Sequence, residues 1–179
     1  FNFTIPAYKS KSRKVICPMA GICKMFCYAR KGAYPLANKW SELKLEASLK
    51  DSFVELMNQD IKAKKAEFVR IHDSGDYYSK AYLLKWFKIA TDNPLVKFYS
   101  YTNNITMIKN LKSIPINFDF IFSDSGKQSK FIDQSIDRHA RIFKTIEDLN
   151  KANYKDSSDY DLYATRWFNN SNNVGLVIH

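Results

Sequence analysis

Apolar positions along this chain change period several times, and each change marks an element. Leu36, Trp40, Leu43, Ala47, Val54, Met57 and Ile61 follow the spacing of one helical face, which predicts a long helix opened by Pro35. Glu67 to His72 is a short run with Phe, Val and Ile, stopped by Asp73-Ser74-Gly75-Asp76, and reads as a strand. Ser79 is placed to cap a second helix carrying Tyr82, Leu83, Trp86, Phe87 and Ala90, which Pro94 closes. Val96 to Thr102 and Phe118 to Ser123 read as two more strands, with a short helix near Thr106 to Leu111 between them. Arg141 to Phe143 suggests a short fourth strand. Thr145 is positioned to cap a helix to about Asn153, and Val174 to His179 forms a last apolar strand. Strands alternating with helices predict parallel pairing and right-handed crossovers. The expected fold is therefore α/β: one domain over residues 1–179, a largely parallel sheet with crossover helices, resembling a partial (β/α) barrel.

In such folds the loops after the strands carry function. Here those loops supply His72-Asp73-Ser74-Gly75-Asp76, Tyr101 to Asn104, Ser123 to Gly126, and His179. Asp, Ser and Gly also make good turns. A histidine with two carboxylates in one loop exceeds what a turn requires.

All three cysteines fall within eleven residues, at Cys17, Cys23 and Cys27. Lys14 to Ile16 forms a short apolar approach to them. Three thiols on one loop can meet at a point, and thiolates at a point form a metal site. Structural zinc usually takes four closed ligands through Cys-x-x-Cys knuckles, and this loop has neither. A [4Fe-4S] cluster suits the set better, with three irons held by the cysteines and the fourth left open or bound elsewhere. Candidate fourth ligands are His72, His139, His179, Asp73 and Asp76, or a small molecule. Aromatic residues near the loop in sequence, among them Tyr8, Phe26, Tyr28, Tyr77 and Tyr78, would exclude water from a cluster.

Composition narrows the classes. An apolar content of 45% with 15% aromatics describes an ordered globule. No run of eighteen apolar residues is present, so no membrane role is expected. An odd, tightly spaced cysteine set makes a poor disulfide framework, and no leader-like segment precedes it. A reducing cytoplasm is the expected location. The net charge of +10 admits an acidic protein partner or nucleic acid. The lysines are dispersed along the chain, and an AT-rich codon bias would give the same charge, so nucleic acid is the weaker expectation.

Two features resemble the radical S-adenosylmethionine superfamily. One is the three-cysteine loop with Phe26 directly before the last cysteine, where that family packs an aromatic near the adenine. The other is Ser74-Gly75-Asp76 at the end of the next strand, where that family has a Gly-Gly-Glu motif holding the methionyl amino group. The resemblance implies S-adenosylmethionine as a cofactor, with Phe26, Ser74, Gly75 and Asp76 binding it. The family's usual spacing is Cys-x3-Cys-x2-Cys; here it is Cys-x5-Cys-x3-Cys.

A broader resemblance runs through Cys-Pro-x-Ala-Gly-x-Cys-x-x-Phe-Cys-Tyr-Ala, Arg-Ile-His-Asp-Ser-Gly-Asp-Tyr-Tyr-Ser, Phe-Tyr-Ser-Tyr-Thr and Arg-His-Ala-Arg-Ile-Phe. These runs look like the bacteriophage gene product 88 family. That resemblance implies a viral auxiliary protein in the cytoplasm of a bacterial host, and supplies no reaction. Three functions remain in view: a cluster-bearing redox protein serving an acidic host partner, a radical enzyme using an open iron, and a nucleic-acid-binding protein with a structural metal.

Overall fold

A computed structural model describes residues 1–31 and 38–177; the side chains of Phe26 and Asn38 also lie outside the description. One seven-stranded sheet organises the chain: β1 (Asn2–Phe3), β2 (Phe68–Ile71), β3 (Lys97–Thr102), β4 (Phe118–Ser123), β5 (His139–Phe143), β6 (Lys155–Asp156) and β7 (Asn173–Val177). Their order across the sheet is β1-β2-β3-β4-β5-β7-β6, and every pairing is parallel. The first five strands lie side by side in chain order, as in an opened portion of a (β/α) barrel. All strand carboxyl ends therefore share one edge of the sheet.

The helices are α1 (Cys23–Phe26), α2 (Asn38–Leu49), α3 (Phe53–Ala63), α4 (Lys80–Asp92), α5 (Ile105–Lys109) and α6 (Ile146–Lys151). Two side-chain caps expected from sequence are present. The Ser79 hydroxyl accepts from Tyr82 N at 3.2 Å, and that of Thr145 accepts from Asp148 N at 3.1 Å. Each satisfies one of the unpaired donors of a helix start.

Alternate strand residues face the helices. Phe3, Val69, Ile71, Phe98, Phe118, Phe120 and Phe122 form the main core with Phe53, Met57 and Ile61 of α3 and Tyr82, Leu83 and Trp86 of α4. Trp86 is fully buried, with Phe3 and Phe53 edge-on at 5.0 and 5.4 Å between ring centroids. Each such ring contributes about 2–3 kcal/mol by leaving water. The opposite sheet face buries Tyr99, Ile121, Ala140 and Val174 under the turn Asp161–Ala164. Arg166 N ties this cover down by donating to buried Asp119 Oδ2 at 2.8 Å.

Several expectations need correction. The long helix is two helices, α2 and α3, separated by a turn at 50–52. Trp40 and Leu43 are exposed, so the single apolar face does not run through α2; Pro35 and Leu36 lie outside the described residues. The seven-residue step from Ala47 to Val54 hides the break, since it preserves helical phase. The fourth strand starts earlier, at His139, and α6 ends at Lys151. The last strand is described only to Val177. Strands β1 and β6, two residues each, were not expected. Such short strands leave no periodic signal.

Candidate metal centre

The carboxyl ends of β2, β3 and β4 carry the polar loops, and the cysteine loop lies over them. Cys23 N donates to Ser125 O at 3.4 Å, and Lys127 N donates to Met19 O at 2.9 Å. The Lys127 ammonium also donates to Pro18 O, at 3.1 Å. A Cβ on Gly21 would stand 2.8 Å from Ser125 O, so the small residue lets the loop close on β4.

The three thiols are free and half-buried. Cys17 Sγ accepts from Tyr8 N at 3.3 Å, and Cys23 Sγ accepts from the Asn103 side-chain amide at 3.9 Å. Burial pushes the Cys17 thiol strongly up, and the charge of Asp76 adds to the shift. Burial also raises Cys23, helped by the charges of Cys27 and Asp76. The charges that raise Cys17 and Cys23 are those of Asp76 and of the neighbouring cysteines. A group that keeps the thiolates ionised must bring positive charge.

Asp76 sits beneath the thiols, 1% exposed. Its Oδ1 accepts from Tyr77 N and Thr102 Oγ1, both at 2.7 Å, and its Oδ2 accepts from Asn103 N at 3.0 Å. Burial nonetheless raises its carboxyl above the usual range. With both oxygens engaged, Asp76 is an anchor: it joins the ends of β2 and β3 and sets Asn103 under Cys23. The Asn103 side-chain oxygen, buried and without a hydrogen-bond partner among the described residues, lies against Gly126, where a Cβ would approach it to 2.3 Å.

Ser74 and Gly75 are engaged elsewhere. The Ser74 hydroxyl donates to Ile5 O at 2.7 Å, and Ile5 N donates to Ser74 O at 3.2 Å. Gly75 has φ +92, and its Cα is covered by the Ile5 side chain. The pair clamps the segment after β1 to the loop after β2.

His72 is engaged by the aromatic layer of Tyr77 and Tyr82. Its Nε2 shares a hydrogen bond with the Tyr82 hydroxyl at 3.0 Å, and its ring lies edge-on to Tyr77 at 4.6 Å. Burial pulls its pKa down to about 3. His139 is also enclosed, between Asp137 O at 2.8 Å and the Tyr154 hydroxyl at 2.7 Å. Asp73 faces Arg70 at 3.3 Å and Tyr28, whose hydroxyl donates to its backbone and side chain. His179 lies outside the described residues, as does the Phe26 side chain.

Charge coupling links Cys17, Cys23, Cys27 and Asp76, while His72 is hydrogen-bonded to Tyr82. Among the described residues, no three His, Cys, Asp or Glu side chains stand close enough to hold a single metal ion. A polynuclear cluster takes its thiolates at separate corners, one per iron, and tolerates that wider spacing. The donor chemistry suits such a cluster: three half-buried thiols, two of them with N–H donors.

A network missed in the sequence adjoins this edge. Arg70 lies 3.3 Å from both Asp73 Oδ1 and Asp161 Oδ2, while the Tyr99 and Tyr101 hydroxyls donate to Asp161 at 2.5 and 3.2 Å. Asp161 is far from β2 in sequence and belongs to no motif, so only the covering turn reveals it.

The chain matches the family described as Gene product 88 over residues 1–177. It belongs to that family. The Gene 88 protein of Mycobacterium phage L5 is 34% identical over 101 residues, covering 48% of this chain and 42% of that protein. The chain thus matches less than half the length of that curated relative. No solved structure matches. Among the described residues of this Gene product 88 family member, no helix is long and apolar enough to cross a membrane.

Proposed function

We propose that the loop of Cys17, Cys23 and Cys27 holds a [4Fe-4S] cluster, and that the protein is a phage redox carrier in the bacterial host cytoplasm with an acidic host protein as partner. One observation carries the reading: three thiols gathered over the carboxyl ends of parallel strands, with Tyr8 N–H and the Asn103 amide donating to two of them. When bound, the cluster supplies one-electron transfer at a potential tuned by hydrogen bonds to sulfur and by solvent exposure.

The chain's own residues have definite tasks in this reading. Cys17, Cys23 and Cys27 supply the thiolates. Tyr8 and Asn103 spread their negative charge through N–H donors. Asp76 fixes Asn103, and buried Ile16 and Ala20 keep water from one side of the loop. His72 and Asp76 are occupied by Tyr82 and by the β3 end, which leaves His179 or an exogenous small molecule for the fourth iron.

The second reading is a radical enzyme that binds S-adenosylmethionine. What favours it is the charge of Asp76, the last residue of Ser74-Gly75-Asp76, acting on Cys17 and Cys23. The engagement of Ser74 and Gly75 by Ile5 argues for the carrier. Electron paramagnetic resonance of the reduced protein, with and without S-adenosylmethionine, separates the two. The carrier predicts an unchanged spectrum and no 5′-deoxyadenosine. A perturbed spectrum with cleavage of the cofactor would replace the carrier by the enzyme.

A further inference from the structure

The first 31 residues contain seven lysines and arginines and no Asp or Glu, although the whole chain has 18 acidic residues. The fold gathers part of this charge around the Tyr8 ring. Lys9 Nζ, Lys24 Nζ and Arg30 Cζ lie 5.4, 5.8 and 5.7 Å from the centre of the Tyr8 ring. Tyr8 is the residue whose N–H donates to Cys17. Arg30 further donates to Lys24 O at 2.6 Å, which holds the turn after Cys27 against α1. None of the three cations forms an ion pair among the described residues.

Apolar side chains are exposed on the cysteine loop itself. Ile22 and Met25 are 63% and 65% exposed on the turn that carries Cys23. Val15, which pairs with Lys9 across the preceding hairpin, is 43% exposed. An exposed Ile and Met beside a metal-ligand candidate carry a solvation cost that folding does not require.

We infer that this face, with Ile22 and Met25 at its centre and Lys9, Lys24 and Arg30 on its rim, is the docking surface for an acidic electron-carrier protein. The inference rests on the redox reading for its choice of partner. Charge complementarity selects an acidic occupant, since the face has cations without counter-charges. The aliphatic centre selects protein over nucleic acid. Protein interfaces combine a Met-rich apolar core with a charged rim, whereas nucleic-acid surfaces are polar and read bases by stacking or hydrogen bonds. A partner seated there meets the cysteine loop directly.

Flavodoxin, a small acidic flavoprotein, is a suitable probe, with a single-stranded DNA oligonucleotide as the second. Each is titrated calorimetrically into the full chain at low and high salt. The expected result is flavodoxin binding that weakens about tenfold as salt rises through the range where surface charges are screened. The K9E/K24E/R30E variant should lose about tenfold at low salt. Met25→Ala should lose about threefold at both salts, and the K9R/K24R variant should bind like the parent. Absence of flavodoxin binding, binding indifferent to the triple reversal, or an effect of the reversal on DNA alone overturns the docking surface. Iron and sulfide are assayed on the same samples. Salt-dependent, Met25-dependent docking by protein lacking both would sustain this surface while the cluster reading fell.

Discussion

The Asn103 amide reaches the Cys23 thiol at 3.9 Å across eighty positions of sequence, and it does so because buried Asp76 holds the Asn103 backbone N–H at 3.0 Å. The end of β2 thus positions the end of β3, which in turn supports the sulfur. Donation to a thiolate favours the more negative, reduced state of a cluster. Asn103→Leu is therefore expected to bind iron but to lower the reduction potential by a few tens of millivolts, the equivalent of part of one hydrogen bond. A spectroscopically monitored redox titration reads this. An unchanged potential would remove Asn103 from the site.

The clamp between Ile5 and Gly75 gives a stability prediction. A Cβ at position 75 would meet Ile5 Cγ1 at 2.3 Å, on a backbone with φ +92. Gly75→Ala should cost about 3 kcal/mol, from left-handed strain together with overpacking. Urea unfolding at neutral pH measures it, and a loss under about 1 kcal/mol would show that the clamp yields freely.

His72 predicts a pH dependence. It is neutral in the fold, with a pKa near 3, while in the unfolded chain it titrates near its ordinary value of 6.5. The unfolded state therefore binds more protons between these values, and stability falls as pH drops from about 6.5 toward 3. By pH 4.5 the loss from this one group is about 2–3 kcal/mol. Asp76, raised by burial, contributes with the opposite sign, because its buried charge is relieved as pH falls. The comparison that isolates His72 is the difference in unfolding free energy between pH 7 and pH 4.5, for the parent and for His72→Gln. The variant should lose less; equal losses would mean that His72 is accessible to protons in the fold.

Strands β2, β3 and β4 were legible because their apolar runs end abruptly in Asp, Ser, Thr and Asn, and the parallel sheet followed from the intervening helices. The proximity of the cysteine loop to those ends was legible for the same topological reason. Side-chain direction was not. His72 ends a strand as expected, yet with φ +66 its ring turns into the layer of Tyr77 and Tyr82. Likewise Ser74-Gly75-Asp76 reads as a ligand motif in sequence, but each residue is committed to a partner in the fold: Ser74 and Gly75 to Ile5, Asp76 to Thr102 and Asn103. These partners come from strands distant in the chain, and no local pattern encodes them.

Iron and acid-labile sulfide analysis of anaerobically prepared protein and its Cys17→Ala, Cys23→Ala and Cys27→Ala variants tests whether the cysteine loop binds the cluster. The parent should hold about four irons and four sulfides per chain, with brown thiolate-to-iron absorption. Each variant should lose most of both and several kcal/mol of stability, because metal binding is coupled to folding. One zinc per chain without sulfide, or full iron retention in the triple Cys→Ala variant, would contradict cluster binding by this loop.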